Sequence, residues 1–154
     1  MTAIEALASV KIAGAGSSAT SFQHERLITS PLIDVVARLK SAIEAAGLWV
    51  LHEIDPQALL RKGGYAIPGA RQILFFHPRL MVRLLESNSA AILEVPLKFA
   101  LLEEAGAVRL RWLDPKSAFA KYRNDGLAEL GNELTSTCLT IADTTVASID
   151  TLAA

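Results

Sequence analysis

The stretch from Ser30 to Asp55 leaves this chain few ways to fold. Leu32, Val35, Val36, Leu39, Ile43 and Ala46 recur at steps of three and four, the period that gathers side chains onto one stripe of a helix. Asp34, Arg38, Lys40 and Glu44 fall off that stripe, free to face water. Ser30 is placed to cap the free N–H groups of the first turn, and Pro31 sits where a missing donor costs nothing. Gly47 supplies a left-handed stop, and LWVLHEID follows at once as a strand. A helix that turns on a glycine into a strand lays its apolar stripe against the sheet that strand joins.

With 154 residues the chain is long enough for one domain with a real core. Its hydrophobic fraction of 51% is high, and a subunit interface would absorb part of that surplus. Fifteen basic and sixteen acidic residues are interspersed, with a net charge of −1. Proteins that grip phosphate backbones cluster Lys and Arg, so nucleic acid is not an expected partner. The single cysteine excludes an internal disulfide and mildly favours a reducing compartment. The Ala-rich start has no basic segment ahead of an apolar core, so it does not read as a signal peptide. No run reaches membrane-spanning length. The expected setting is cytoplasmic, away from membranes.

Residues 1–21 read as a poorly ordered or arm-like extension, with Leu7–Ala13 an edge strand or short helix and Gly14–Ser21 a connector. The domain proper spans 22–150. Phe22–Ile28 is its first strand. Asp55-Pro56 starts a short helix that Gly63-Gly64 ends, and Tyr65–Ala70 is a loop. Arg71–Phe76 is a dense apolar run, as in a strand covered on both faces. His77-Pro78 opens the next helix. Ala91–Val95 reads as the start of a strand checked by Pro96. Leu97–Glu103 and Ala107–Leu113 alternate around Gly106 as an antiparallel hairpin. Leu97, Phe99 and Leu101 share one face with Val108, Leu110 and Trp112, while Lys98, Arg109 and Arg111 point the other way. Asp114-Pro115 caps a further helix. Asn124-Asp125-Gly126 turns, and a last helix begins near Asn132.

These elements make an α+β fold, a two-layer α/β sandwich. Its mixed, mostly antiparallel sheet of about five strands carries helices on one face. The bare face, with Trp49, Leu51, Leu74 and Phe76 or their alternates, is too apolar for water, so a homodimer is expected.

Candidate ligand-binding residues are His77, Arg79, Glu53, Asp55 and His52. His77 stands at a strand's end and a helix's start, where N–H groups and the helix dipole favour an anion. Arg79 adds a charge-assisted donor. Strict alternation puts His52 with Leu48, Val50 and Ile54, and Glu53 with Trp49, Leu51 and Asp55. The Glu53 and Asp55 carboxylates would be an acid/base pair if the chain were an enzyme. The commoner role of each of these residues is structural: a cap, a core histidine, a salt-bridged surface. His24, His52 and His77 lack metal-ligand spacing, no glycine-rich phosphate loop is present, and neither metal nor cofactor is expected. Cys138 lies on an apolar helical stripe, which makes its thiol buried and inert. Lys98, Arg109 and Arg111 form a basic patch open to an anion, with Glu94, Glu103 and Glu104 near enough in sequence to neutralise it.

Four segments together resemble the "domain of unknown function 302" family. They are Gly47-Leu48…Val50-Leu51…Glu53-Ile54-Asp55, His77-Pro78-Arg79, Val95-Pro96 and Trp112-Leu113-Asp114-Pro115. The resemblance runs from about Phe22 to Ala147. The family more usually carries Asn where His77 stands, and an aromatic-Asn-Asp-Pro end to the hairpin. The resemblance implies a small two-layer α/β sandwich, commonly dimeric, with no established activity or cofactor. Two functional readings follow. The first is a non-enzymatic homodimeric module that binds a small anionic ligand or a protein partner. The second is a small enzyme using His77 and Arg79 with Glu53 and Asp55.

Overall fold

The computed structural model describes residues 5–14, 16 and 20–153, with side chains through Ile149. The helix of the opening stretch, α1, spans Leu32–Ala45 and buries Val35, Val36, Leu39, Ala42 and Ile43. Its start corrects one expectation. Pro31, not Ser30, is the cap residue, and no side chain caps the helix. The Pro31 carbonyl accepts from the Asp34 and Val35 N–H groups. Ser30 instead directs its own N–H back to the Ile28 carbonyl. The stop is as expected. Gly47 has φ +77, and Leu48 and Gly47 donate to the Ile43 and Glu44 carbonyls, the paired closure of a Schellman end.

Around α1 the chain runs β1 (Ala8–Ser9), β2 (Gln23–Ile28), β3 (Trp49–Ile54), α2 (Pro56–Lys62), β4 (Tyr65–Ala66), β5 (Ala70–Phe76) and α3 (Pro78–Ser87). A 3-10 turn follows at Ser89–Glu94, then β6 (Leu97–Glu104), β7 (Ala107–Leu113), α4 (Pro115–Ala120) and α5 (Asp125–Ala153). The main sheet has the order β2-β7-β6-β5-β3 and is antiparallel throughout. The parallel pairing sits outside it, between β1 and β4, so Tyr65–Ala66 is not the loop expected. The connector expected over Gly14–Ser21 falls partly outside the described residues.

Register divides the sheet into two faces. His24, Trp112, Phe99 and Ile73 share one row, and Arg26, Leu110, Leu101 and Arg71 the next. This face carries the helices: Ile73, Phe75, Phe99, Leu101, Leu110 and Trp112 join the α1 stripe and Leu80, Leu84, Leu134 and Ile141 in one core. The open face carries Gln23 beside Leu113, Lys98 beside Leu74 and His52, and Glu25, Arg111, Ala100, Gln72 and Ile54 in the next row. Phe76, expected on that open side, is buried and belongs to the core; it is the last residue of β5, where the chain turns into α3.

Three further expectations are corrected. Ala91–Val95 starts no strand. The Asn88 side chain accepts from the Ala90 N–H at 3.0 Å, which tightens Ser89–Glu94 into a 3-10 turn with Ala91 inside. The last helix begins at Asp125, seven residues ahead of Asn132, because Asn124 accepts from the Leu127 N–H at 3.0 Å and caps it. Gly126 and Gly131 are contact glycines rather than turn signals. A Cβ on Gly131 would come within 3.2 Å of the Lys116 backbone, so α5 passes tight against α4 there. Strict alternation also fails in β3. The register shifts between Val50 and His52, a bulge that leaves Leu51 without a ladder partner. Glu53 therefore faces the helices beside Ile73, and His52 lies on the open face beside Leu74.

Candidate functional site

The structure does not gather the five sequence candidates. His77 and the Glu53/Asp55 pair sit at opposite ends of the edge strand β3. His77 caps α3: its Nδ1 accepts from the Arg79 N–H at 3.1 Å, and its ring meets Trp49 edge-on at 5.1 Å. Arg79 reaches back to the Gly47 carbonyl at 3.2 Å, tying α3 to the end of α1. Glu53 takes the Lys40 ammonium at 2.8 Å and lies 3.8 Å from Arg71. Asp55 caps α2 through the Ala58 N–H at 3.0 Å and pairs with Arg71 at 3.0 Å. Arg71, absent from the sequence candidates, is what ties the two carboxylates together. The signal for it was an arginine on the same strand face as buried Ile73. His52 stands exposed on the open face. Among the described residues no group of three His, Cys, Asp or Glu side chains is disposed to hold a metal ion.

The basic patch resolves into three different arginine and lysine environments. Arg109 is buried and forks onto Glu104 with two 2.8 Å hydrogen bonds, with Glu25 3.8 Å away. Arg111 lies 3.4 Å from Glu25 and donates to the Gly16 carbonyl at 3.1 Å. The N-terminal segment thus crosses the open face, and the Gly16 N–H closes the loop by donating to Glu104 at 2.7 Å. The Arg109 fork holds the Glu104 carboxyl down to about 2, from an ordinary 4.5. Lys98 has no carboxylate partner among the described residues.

Because the Glu104 pKa is lowered on folding, its stabilisation is complete above the ordinary value and fades as pH falls from 4.5 towards 2. Glu104→Gln should therefore melt well below the parent at neutral pH. The gap in Tm should narrow steadily across that acid window. A gap that stays constant from neutral pH down would refute the fork as its origin.

A cleft of about 420 Å³ opens where the hairpin ladder ends. Pairing between β6 and β7 stops at Phe99 and Trp112; beyond it Leu97, Lys98 and Leu113 line the cleft, with Leu93 from the 3-10 turn and Pro115 and Ala118 from α4 as walls. Gln23, Gln72 and Arg111 bring polar groups and Phe75 and Cys138 apolar ones. Lys98 stands out in the sequence but this grouping does not, since neither glutamine carries a pattern. Burial pushes the Cys138 thiol up to about 12, so it is a wall of the cleft and not a nucleophile. Glu94, at the rim, is occupied by Lys121 and by the Tyr122 hydroxyl, each at 2.8 Å. A second cavity, shallow and open, lies beside His77, Trp49 and Glu44.

A five-stranded antiparallel sheet with helices on one face and a polar, partly apolar opposite face defines a two-layer α/β sandwich. The family model described as "Domain of unknown function DUF302" matches residues 24–145, and the chain belongs to that family. A crystal structure of an uncharacterized conserved DUF302 protein from Bacillus stearothermophilus superposes with a TM-score of 0.76 at 16% identity, covering 82% of this chain and 99% of that one. No curated protein matches the chain.

Proposed function

We propose that the chain acts as a non-enzymatic homodimeric module that holds a small anionic ligand, pairing with a second copy through the open face of its sheet. The observation that carries this reading is the make-up of that face. Leu27, Trp49, Leu51 and Leu113 are 53%, 55%, 48% and 56% exposed, on the two outer pairs of strands or their edges. Between them Arg109 is spent on Glu104 and Arg111 on Glu25, and Lys98 has no carboxylate partner among the described residues. A face that meets its own copy about a two-fold axis brings like onto like, so it tolerates apolar patches and internally neutralised charge but not an unbalanced field. A partner of strong charge finds no complement here. The scattered sequence candidates support a binding role over catalysis: His77, Arg79, Glu53 and Asp55 each hold a helix end or a salt bridge, and an enzyme needs such groups in one pocket. No helix among the described residues is long and apolar enough to cross a membrane, and a cytoplasmic setting suits the one buried, unpaired cysteine.

Light scattering at micromolar concentration tests the pairing. The expected mass is twice the chain's 16.5 kDa, falling to the single-chain value in Trp49→Glu and Leu113→Glu while the circular dichroism spectrum is kept. A parent protein that scatters as a single chain overturns the reading.

A further inference from the structure

We propose that the groove between α1 and α2 binds a small primary amine with a short apolar body, its ammonium on the Glu103 carboxylate and its body along Ile33. The site lies on the helix-bearing side of the sheet, opposite the open face, and goes beyond the reading of the chain as a holder of anions.

The groove is a cavity of about 610 Å³ whose floor comes from three neighbouring strands, Glu53 of β3, Arg71 of β5 and Glu103 of β6. Their ladder partners are the core residues Ile73, Leu101 and Val108, so all three side chains leave the sheet on its helix-bearing side. Beside them α1 lends Leu32, Ile33, Val36 and Lys40, and α2 lends Gln57. Two independent observations carry the inference. The first is an unequal count of charge. Lys40 is spent on Glu53 at 2.8 Å and Arg71 on Asp55 at 3.0 Å, whereas Glu103 has no cation partner among the described residues. That leftover carboxylate is seated rather than adrift. A Cβ on Gly69 would run into the Glu103 carboxylate and into a methyl group of Leu32, so the bare backbone there is what lets the acid lie down beside α1. The second observation is an uncovered apolar wall. Ile33 is 78% exposed where it lines the groove, next to Leu32, which packs against the core. A ligand that covers Ile33 takes apolar surface out of water.

The same observations choose the class of ligand. One unmatched carboxylate calls for one positive charge. A primary ammonium brings three N–H donors with it, and the groove has more than one acceptor to offer them. Gln57 gives its amide N–H to the Ile67 carbonyl at 3.1 Å, which leaves its amide oxygen as a second acceptor beside Glu103. A quaternary ammonium donates nothing and would use neither as a hydrogen-bond partner. Among the described residues no three His, Cys, Asp or Glu side chains converge to hold a metal ion. A carboxylate on the ligand would have to win Lys40 or Arg71 from Glu53 or Asp55. The exposed wall at Ile33 asks for an apolar body, and the volume lies within the range of small-molecule sites.

The test uses the full chain and a proton–nitrogen correlation spectrum, reading the Ile33 backbone signal and the Gln57 side-chain amide pair, the latter assigned with Gln57→Leu. The probes are phenethylamine, its uncharged analogue phenethyl alcohol, and phenylalanine. Phenethylamine should move both signals and saturate at millimolar concentration. Glu103→Gln should weaken that titration about three- to fivefold, the scale of a solvent-facing ion pair, and the alcohol should bind the parent no better than the amine binds that variant. Gly69→Ala, which unseats the carboxylate, should weaken the amine as Glu103→Gln does. Lys40→Met, which releases Glu53 as a second acceptor, should tighten it by a similar factor, a gain that a loosened fold does not imitate. Signals that ignore phenethylamine to high millimolar concentration, an unchanged titration in Glu103→Gln, or no gain in Lys40→Met overturns the proposal. Tighter binding of phenylalanine than of phenethylamine overturns the choice of class.

Discussion

Replacing Phe99 by alanine should lower the stability of this protein by about 3–5 kcal/mol, the range for removing a large aromatic from a close-packed core. Phe99 is fully buried on the central strand β6, stacked on Phe75 at 4.9 Å and set against Trp112 at 5.4 Å. It joins three strands on the helix-bearing face, so the void left behind has rigid walls and little room to collapse. Urea unfolding followed by circular dichroism measures the loss. Leu93 is the control. It is just as apolar, but 85% exposed on the 3-10 turn, and Leu93→Ala should change stability by no more than about 0.5 kcal/mol. Equal losses for the two would mean that the helix-bearing face is not where the core lies.

Phe99 was legible in the sequence because nothing interrupts the period around it. Phe99 pairs with Trp112 and Leu101 with Leu110 across the ladder, while Leu97 lies past its end and Val108 stands opposite Glu103; the α1 stripe survives as well. Errors came where one residue's local signal was overridden by tertiary contact. Gly126 and Gly131 look like helix breakers, yet α5 runs through both, because the space a Cβ would need is filled by Ser87 and by α4. The bulge at Leu51 has no signal in composition, and it reversed the assignment of Glu53 and His52 to faces. Ala91-Ile92-Leu93 has the density of a strand, but Asn88 beside it supplied a cap and won.

The candidate site was less legible for a related reason. A sequence displays single residues by type, whereas the structure distributes them by partner. Histidine at a strand's end and carboxylates two apart are chemistry-bearing residues, and here each closes a helix end or pairs with Arg71. In the sequence the basic patch is three cations on one strand face, with acidic residues nearby that could neutralise it. Arg109 is sealed by a fork, Arg111 ties down the N-terminal segment, and Lys98 has no carboxylate partner among the described residues. Which of three cations is unspent depends on where Glu25 and Glu104 stand, and Glu25 is more than eighty residues distant in sequence from Arg109.

The family segment that closes the hairpin carries the other large effect: Asp114→Ala should cost about 2–4 kcal/mol, measured as above. Asp114 accepts the Ser117 N–H at 3.2 Å as the cap of α4, a contact worth about 1 kcal/mol. It also takes the Ser117 hydroxyl at 2.7 Å, the Thr135 hydroxyl at 2.9 Å and lies 3.3 Å from the His24 ring. Bonds to a charged acceptor are worth about 1.5–3 kcal/mol each, though they do not add when they share one carboxylate. These contacts lock three elements together, β2 through His24, α4 through Ser117 and α5 through Thr135, so their loss loosens the packing of α4 on α5. Burial on its own raises the Asp114 carboxyl, but the bonds from Ser117, Thr135 and His24 outweigh it and hold it below the ordinary carboxylate value. Its contribution is therefore full above the ordinary value and is lost as pH falls through the lowered one. Asp114→Asn keeps an acceptor for the cap and gives up the charge. It should cost less than Asp114→Ala at neutral pH and flatten the acid side of the stability profile. If the two variants lose the same amount at every pH, the charge on Asp114 is not what holds the hairpin's end to α4 and α5.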